Sequence, residues 1–129
     1  MRVLLDTHIL LAVIREETDK LSPSIKRLLD REDTEAFVSV ASLWEAAIKW
    51  RLGKLPLPSP PARLPELVED IGLVQVPILA SHAVADVVPE PATRDPFDRL
   101  LLAQCKVEGL LLLTTDRALV EHPLVVRLV

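Results

Sequence analysis

Four short apolar runs constrain the fold of this chain more than any other feature of its sequence. They lack a regular polar alternation, and segments with helical spacing separate them, which indicates a parallel sheet covered by helices on both faces. The sequence therefore predicts an α/β fold with a mainly parallel central sheet of about four to five strands. The predicted strands are residues 2–6, 36–40, 73–77 and 110–114, with a last strand at 125–129.

Local signals place the helices between these strands. A serine or aspartate before a helical stretch favours an N-cap, and a following proline suits the first helical position. By this criterion Ser22, Ser42 and Asp95 begin helices, and a short helix starts at Asp116. Glycines typically end helices in the left-handed conformation. The expected helical stretches are 7–15, 64–71, 79–87 and 97–108, with stops at Gly53, Gly72 and Gly109.

Length and composition predict one domain over residues 1–129. Half of the residues are hydrophobic and 26% are charged, which excludes a disordered chain. The single cysteine, Cys105, excludes a disulfide framework and fits a reducing, cytoplasmic environment. The opening apolar run is interrupted by Asp6 and His8 and is far shorter than the ~18 residues of a membrane span, so we expect no membrane partner.

Four acidic residues are expected at one end of the sheet. Asp6 ends the first strand and Asp116 follows the fourth. Glu45 lies one turn into the helix after the second strand, and Asp98 lies in the first turn of the helix after Pro96. Two carboxylates ~5 Å apart repel by roughly 3 kcal/mol at an effective dielectric near 20. Such a cluster raises a carboxyl pKa or binds a hard cation, and oxygen-only ligands favour Mg²⁺ or Mn²⁺.

Three of these acids also have a purely structural interpretation, whereas a cap role for Asp6 would still leave a carboxylate at the sheet edge. Asp98 can stabilise a helix N-terminus, Asp116 can cap a helix, and Glu45 can form an i,i+4 ion pair with Lys49. The formal net charge of −4 argues against a broad basic face for nucleic acid, but it does not exclude a nuclease that holds metal ions with acids. The joint placement of the four acids favours a functional site.

Four segments of the sequence resemble the PIN-domain ribonucleases of the VapC toxin type. They occur in the family's order and span nearly the whole chain, and they are Leu5–His8, Ser39–Lys49, Arg94–Gln104 and Leu113–Arg117. The resemblance implies a PIN-like three-layer sandwich. It also implies that Asp6, Glu45 and Asp98 bind the metal, that Asp116 completes the pocket, and that Thr7 and Thr114 support it.

The same resemblance implies a function. It suggests Mg²⁺- or Mn²⁺-dependent cleavage of RNA that leaves a 5′-phosphate and a 3′-hydroxyl, carried out by a homodimeric toxin in the prokaryotic cytoplasm. A neutralising antitoxin encoded beside it is the expected protein partner. The alternative is a catalytically degenerate PIN module that only binds RNA or protein, although the presence of all four acids counts against it.

Two other Mg²⁺-dependent classes fit the sequence poorly. A phospho-receiver domain needs an acceptor aspartate at the end of a central strand, whereas the second strand here ends at Val40. A haloacid-dehalogenase-type phosphatase needs Asp-x-Asp after the first strand, and His8 takes the place of its second aspartate.

The remaining distinctive side chains have simpler interpretations. Trp44 and Trp50 are expected in the core or on a dimer face, and Cys105 is expected to be a buried small hydrophobe. A basic group that could contact phosphates lies at the end of the third helix and consists of Lys49, Arg51 and Lys54.

Overall fold

A four-stranded parallel sheet forms the centre of the protein, as seen in a computed structural model that describes residues 1–128. The strand order is β3-β2-β1-β4, so the first strand is internal and the last lies at an edge. Every pairing between these strands is parallel. The strands are β1 (Arg2–Leu5), β2 (Glu35–Ser39), β3 (Val74–Val76) and β4 (Leu111–Leu113).

Six α-helices connect the strands within the described residues. Short 3₁₀ segments at Thr18–Lys20 and Pro61–Arg63 precede α2 and α4. The helices are α1 (Thr7–Ile14), α2 (Pro23–Asp30), α3 (Val40–Arg51), α4 (Leu64–Asp70), α5 (Ala80–Ala83) and α6 (Pro96–Glu108). Strands therefore alternate with helices along the chain, as the sequence predicts.

The strands bury both of their faces, which makes the fold a three-layer sandwich. On β1, Val3 and Leu5 pack with the apolar side chains of α1, α2 and α4, whereas Leu4 packs with those of α6. Because successive side chains of a strand point to opposite faces, these two clusters lie on opposite sides of the sheet. The α/β three-layer fold predicted from the sequence is confirmed.

Two predicted helix ends are confirmed in detail. Ser22 accepts a hydrogen bond from the backbone N–H of Ile25 at 3.4 Å, with Pro23 at the first helical position. Gly109 ends α6 with a positive φ of 70°, a conformation that glycine adopts without the steric penalty of a side chain. Both signals are local, since they depend only on neighbouring residues of the chain.

The predicted cap of the third helix was wrong by three residues. The helix begins at Val40, and its cap is Ser39, whose hydroxyl accepts from the N–H of Ala41 at 3.0 Å. Ser42 lies inside the helix, where its hydroxyl contacts Thr7. The strand passes into the helix without a loop, so the last residue of β2 also serves as the cap.

The segments at either end of α6 differ from prediction. Helix α5 ends at Ala83 rather than at residue 87. The residues that follow Ala83 include three valines and Pro89, which have a low preference for helix. After β4, the chain makes a hydrogen-bonded turn at Asp116–Val120 instead of a short helix. The expected last strand reduces to one parallel bridge between Leu112 and Val125, and Val129 lies outside the described residues.

Burial corrects one interpretation and confirms another. Trp44 and Trp50 are 58% and 39% exposed, so placing them in the core was wrong, and a dimer face stays a prediction. Cys105 is buried, and this burial raises the pKa of its thiol to about 12. Along residues 1–128, the structure contains no helix with the length and apolar character needed to cross a membrane.

Candidate active site

One small acidic cleft lies at the carboxyl end of the parallel strands. Its volume is about 90 Å³, and its lining includes the four acids singled out in the sequence, Asp6, Glu45, Asp98 and Asp116, together with Asp95. The acids come from the end of β1, from α3, from the start of α6 and from the turn after β4. The parallel topology therefore gathers residues that are far apart in sequence.

Asp6 is the most deeply placed acid of the cleft. It follows β1 directly, and its Oδ2 accepts a hydrogen bond from the Thr114 hydroxyl at 2.6 Å. Burial raises the pKa of Asp6, the Thr114 hydrogen bond lowers it in part, and the charge of Glu45 raises it further. Asp6 is thus fixed in position, and its negative charge is costly in the absence of a cation.

Glu45 is held through both of its carboxylate oxygens. The Thr7 hydroxyl donates to Oε1 at 2.7 Å, and Nζ of Lys49 lies 2.8 Å from Oε2. The oxygen of Thr7 also lies 3.0 Å from the hydroxyl of Ser42, one helical turn before Glu45. Thr7 therefore ties the start of α1 to α3 and fixes the direction of the Glu45 side chain.

Asp98 is the acid whose protonation the cleft perturbs most. Burial raises its pKa from 3.8 to about 7, and the charges of Asp95, Asp6 and Asp116 add to the rise. The hydroxyl of Thr93 donates to its Oδ2 at 3.3 Å and opposes the shift in part. Three neighbouring carboxylates thus act on Asp98. The cleft therefore contains more negative charge than its basic side chains neutralise.

Two Thr-x-Asp turns flank the cleft and have the same hydrogen-bond pattern. In each, the threonine hydroxyl accepts from the backbone N–H of the aspartate two residues later, at 3.1 Å for Thr93 and 3.0 Å for Thr114. Each aspartate then accepts from an N–H two residues further on, Asp95 at 2.8 Å and Asp116 at 2.9 Å. Asp116 therefore uses one carboxylate oxygen to cap its own turn, as Asp95 does.

Sequence reasoning missed Thr93 and Ser42 as contributors to the cleft. Thr93 is buried, and its hydroxyl bonds to Asp98 much as Thr114 bonds to Asp6. The repeated Thr-x-Asp spacing was visible in the sequence and is the signal that could have identified Thr93. The sequence predicts a helix cap at Ser42, and only the tertiary contact with Thr7 reveals its role.

The donor chemistry of the cleft suits a hard divalent cation. Its acidic oxygens are the ligands that Mg²⁺ and Mn²⁺ prefer. Burial raises the pKa of Asp98, and the repulsion between these acids adds to the rise. Across the described part of the chain, no group of three or more acidic, histidine or cysteine side chains is already arranged to hold an ion. The carboxylates instead bond to Thr7, Lys49, Thr93 and Thr114, and binding an ion requires some of these side chains to turn.

An aromatic pair, made by the exposed Trp44 and the half-buried Phe97, joins the two helices that carry Glu45 and Asp98. Trp44 and Phe97 meet edge to face with ring centroids 5.6 Å apart. Each ring precedes one of these acids in the sequence, so the aromatic contact links the positions of the two acids. Edge-to-face aromatic pairs stabilise by about 0.5–1.5 kcal/mol beyond the area that they bury.

Comparison with known proteins identifies the family. The fold is similar to the crystal structure of VapBC2 from Rickettsia felis bound to a DNA fragment from their promoter, with a TM-score of 0.60 and 13% sequence identity over 98% of this chain and 96% of that chain. A search of curated protein sequences finds no match. The profile of the PIN domain family matches residues 3–123, which is nearly the whole sequence. This chain therefore belongs to the PIN domain family.

Proposed function

We propose that this protein is a Mg²⁺- or Mn²⁺-dependent endoribonuclease, the toxin component of a VapC-type toxin–antitoxin pair, with residues 1–129 forming one PIN domain. The observation that carries the proposal is the convergence of Asp6, Glu45, Asp98 and Asp116 on one small cleft. Carboxylates that lie close together repel each other and destabilise a fold. Binding of a cation explains why this fold nevertheless contains such a group. Membership of the PIN family supports the same function.

We assign the cation to Asp6, Glu45 and Asp98, with Asp116 completing the pocket. A bound divalent cation would supply a nucleophilic hydroxide at neutral pH and stabilise the charge of the phosphoryl group. The protein's own hydroxyls restrict the rotation of the acids, since Thr114 holds Asp6, Thr7 holds Glu45 and Thr93 holds Asp98. Acids restrained in this way must turn less to bind an ion than freely rotating side chains would, which limits the reorganisation that catalysis requires.

The proposed partners are RNA, a cognate antitoxin and a second copy of this chain. The similar solved structure is a VapBC2 assembly on DNA, which supports an antitoxin partner for this chain by analogy of fold. A basic antitoxin side chain that enters the acidic cleft and displaces the metal would neutralise the enzyme. The exposed Trp44 and its partner Phe97 provide an apolar face suited to dimer formation.

A catalytically degenerate PIN module is the alternative, and cleavage assays separate the two functions. The wild-type protein and the Asp6→Asn variant are incubated with a structured RNA pool in Mn²⁺, and both are melted with increasing Mn²⁺. We expect metal-dependent cleavage and a melting temperature that rises with Mn²⁺ for the wild type alone, because only the wild type keeps the carboxylate of Asp6 as a ligand. RNA binding without cleavage, and with no metal-dependent shift, would establish the degenerate module instead.

A further inference from the structure

Lys49 is the lysine that reaches into the acidic cleft. Of all lysines and arginines in residues 1–128, it is the one that lines the cleft, and its Nζ lies 2.8 Å from Oε2 of Glu45. The Lys49 side chain is 43% exposed, whereas the Glu45 side chain is 9% exposed. The ammonium group therefore reaches from the mouth of the cleft to a buried carboxylate.

This ion pair differs from the exposed i,i+4 pairs that are common on helices. Such pairs have both charges in solvent and contribute a few tenths of a kcal/mol. Here the Glu45 carboxylate is buried and bonds to Thr7 through its other oxygen, so the Lys49 ammonium is its charged partner. Glu45 raises the pKa of Lys49 by this hydrogen bond, and the charges of Asp95 and Asp98 add to the rise.

We infer that Lys49 neutralises Glu45 while no divalent cation is bound, and that it contacts the phosphate backbone of the nucleic acid once a cation binds Glu45. The inference rests on the proposed function and adds a substrate-binding residue to it. The ammonium and a divalent cation compete for the same carboxylate oxygen. Binding of the cation therefore frees a positive charge at the mouth of the cleft, where an anionic substrate must enter.

The length and exposure of the Lys49 side chain fit this second position. A lysine carries a compact charge on a flexible four-carbon stem, and a half-exposed stem can turn without repacking the core. A phosphate contact by one lysine contributes to affinity through release of bound counterions, so it makes binding dependent on salt. The two contacts predict opposite effects on metal and RNA when the charge of Lys49 is removed.

The test compares Lys49→Gln, Lys49→Arg and a matched control, Lys26→Gln, in the full-length protein. Lys26 is an exposed lysine on α2 that does not line the cleft. One measurement is the Mn²⁺ concentration that gives half of the maximal rise in melting temperature. The other is KM for RNA cleavage at saturating Mn²⁺, taken at several salt concentrations.

For Lys49→Gln we expect about 2–5-fold tighter Mn²⁺ binding, together with an increase in KM. The slope of log KM against log salt should fall by roughly one, as for the loss of a single phosphate contact. Lys49→Arg keeps the positive charge, so its KM should stay within about 2-fold of wild type and its Mn²⁺ affinity should not rise. Lys26→Gln should change neither quantity.

Each other outcome overturns the inference. If Lys49→Gln leaves Mn²⁺ affinity and KM unchanged, the contact with Glu45 is only a surface ion pair. If it weakens Mn²⁺ binding, Lys49 orients Glu45 rather than competing with the cation. If it tightens Mn²⁺ binding but leaves KM and the salt slope unchanged, Lys49 does not contact the substrate. If the wild-type protein neither responds to Mn²⁺ nor cleaves RNA, the proposed function fails and the inference fails with it.

Discussion

The Thr114 hydroxyl lies 2.6 Å from Oδ2 of Asp6, although 108 positions separate the two residues in sequence. The register of the central strands explains the contact. Leu5 of β1 pairs with Leu113 of β4, and the N–H of Asp6 bonds to the carbonyl of Leu113 at 3.0 Å. The residues that directly follow these two strands, Asp6 and Thr114, therefore meet at the buried side of the acidic cleft, where a hydroxyl faces a carboxylate.

Replacing Thr114 by valine tests this contact. Valine has nearly the same shape but cannot donate to Asp6, so a buried charge loses its partner. We expect a loss of about 1.5–3 kcal/mol in the free energy of unfolding of the metal-free protein, or roughly 5–10 °C in melting temperature. Thr114→Ser keeps the hydroxyl and should recover most of this loss. Equal melting temperatures for the valine and serine variants would show that the hydroxyl is dispensable.

The raised pKa of Asp98 predicts a pH dependence of stability. Its folded pKa of about 7 exceeds the ordinary value of 3.8, so the folded state binds the extra proton between these values. Stability from this group is fully present below pH ~4 and is lost as pH rises through ~7. Because Asp98 is half-buried and solvent screens its charge, we expect about 1 kcal/mol of change over this range.

Thermal melts in a metal chelator between pH 4 and pH 8 measure this dependence. Other groups also titrate in this range, so the relevant quantity is the difference between wild type and Asp98→Asn. The asparagine variant should gain in stability relative to wild type as pH rises. A difference that is constant with pH would contradict the predicted titration of Asp98.

The fold was largely predictable because its signals are local. The cap at Ser22 and the stop at Gly109 depend on backbone geometry set by a few adjacent residues. The errors arose where tertiary contacts decide the outcome. Ser39 can cap α3 only because β2 runs directly into the helix, and the pairing of Val125 with Leu112 is limited to a single bridge. No pattern of spacing contains that information.

The composition of the cleft was predictable, but its internal bonding was not. Parallel strands bring their carboxyl ends to one edge, which is enough to place Asp6 and Asp116 together. Which hydroxyl bonds to which carboxylate depends on register and on side-chain rotamers. The contact of Thr93 with Asp98 is a case of this kind, because the loop before α6 folds back onto the first turn of that helix.

The exposed Trp44 allows a test of the proposed dimer. Trp44→Glu places a charge on the apolar face that Trp44 forms with Phe97, so we expect the dimer to dissociate in light scattering. Val84→Glu is the matched control, because Val84 is 81% exposed and lies on neither α3 nor α6. A wild-type protein that is monomeric at every concentration tested would refute the dimer.

The two aspartates at the start of α6 provide the sharpest test of the site. Asp95 is the N-cap, as predicted, and its Oδ1 accepts from the N–H of Phe97 at 2.8 Å. Asp98 lies in the first turn of the same helix and faces the cleft, where the charges of Asp6 and Asp116 act on it. Asp95 and Asp98 lie only three residues apart, yet one carboxylate caps the helix and the other is a proposed metal ligand.

Asparagine substitutions should separate these two roles. Asn caps a helix about as well as Asp, so Asp95→Asn should change stability and RNA cleavage little. Asp98→Asn keeps the size of the side chain but removes a proposed charged ligand, and we expect cleavage in Mn²⁺ to fall at least ~100-fold. Its melting temperature at pH 8 should hold or rise, because one of the repelling charges has gone. Loss of cleavage in Asp95→Asn with activity kept in Asp98→Asn would mean that the two roles are reversed.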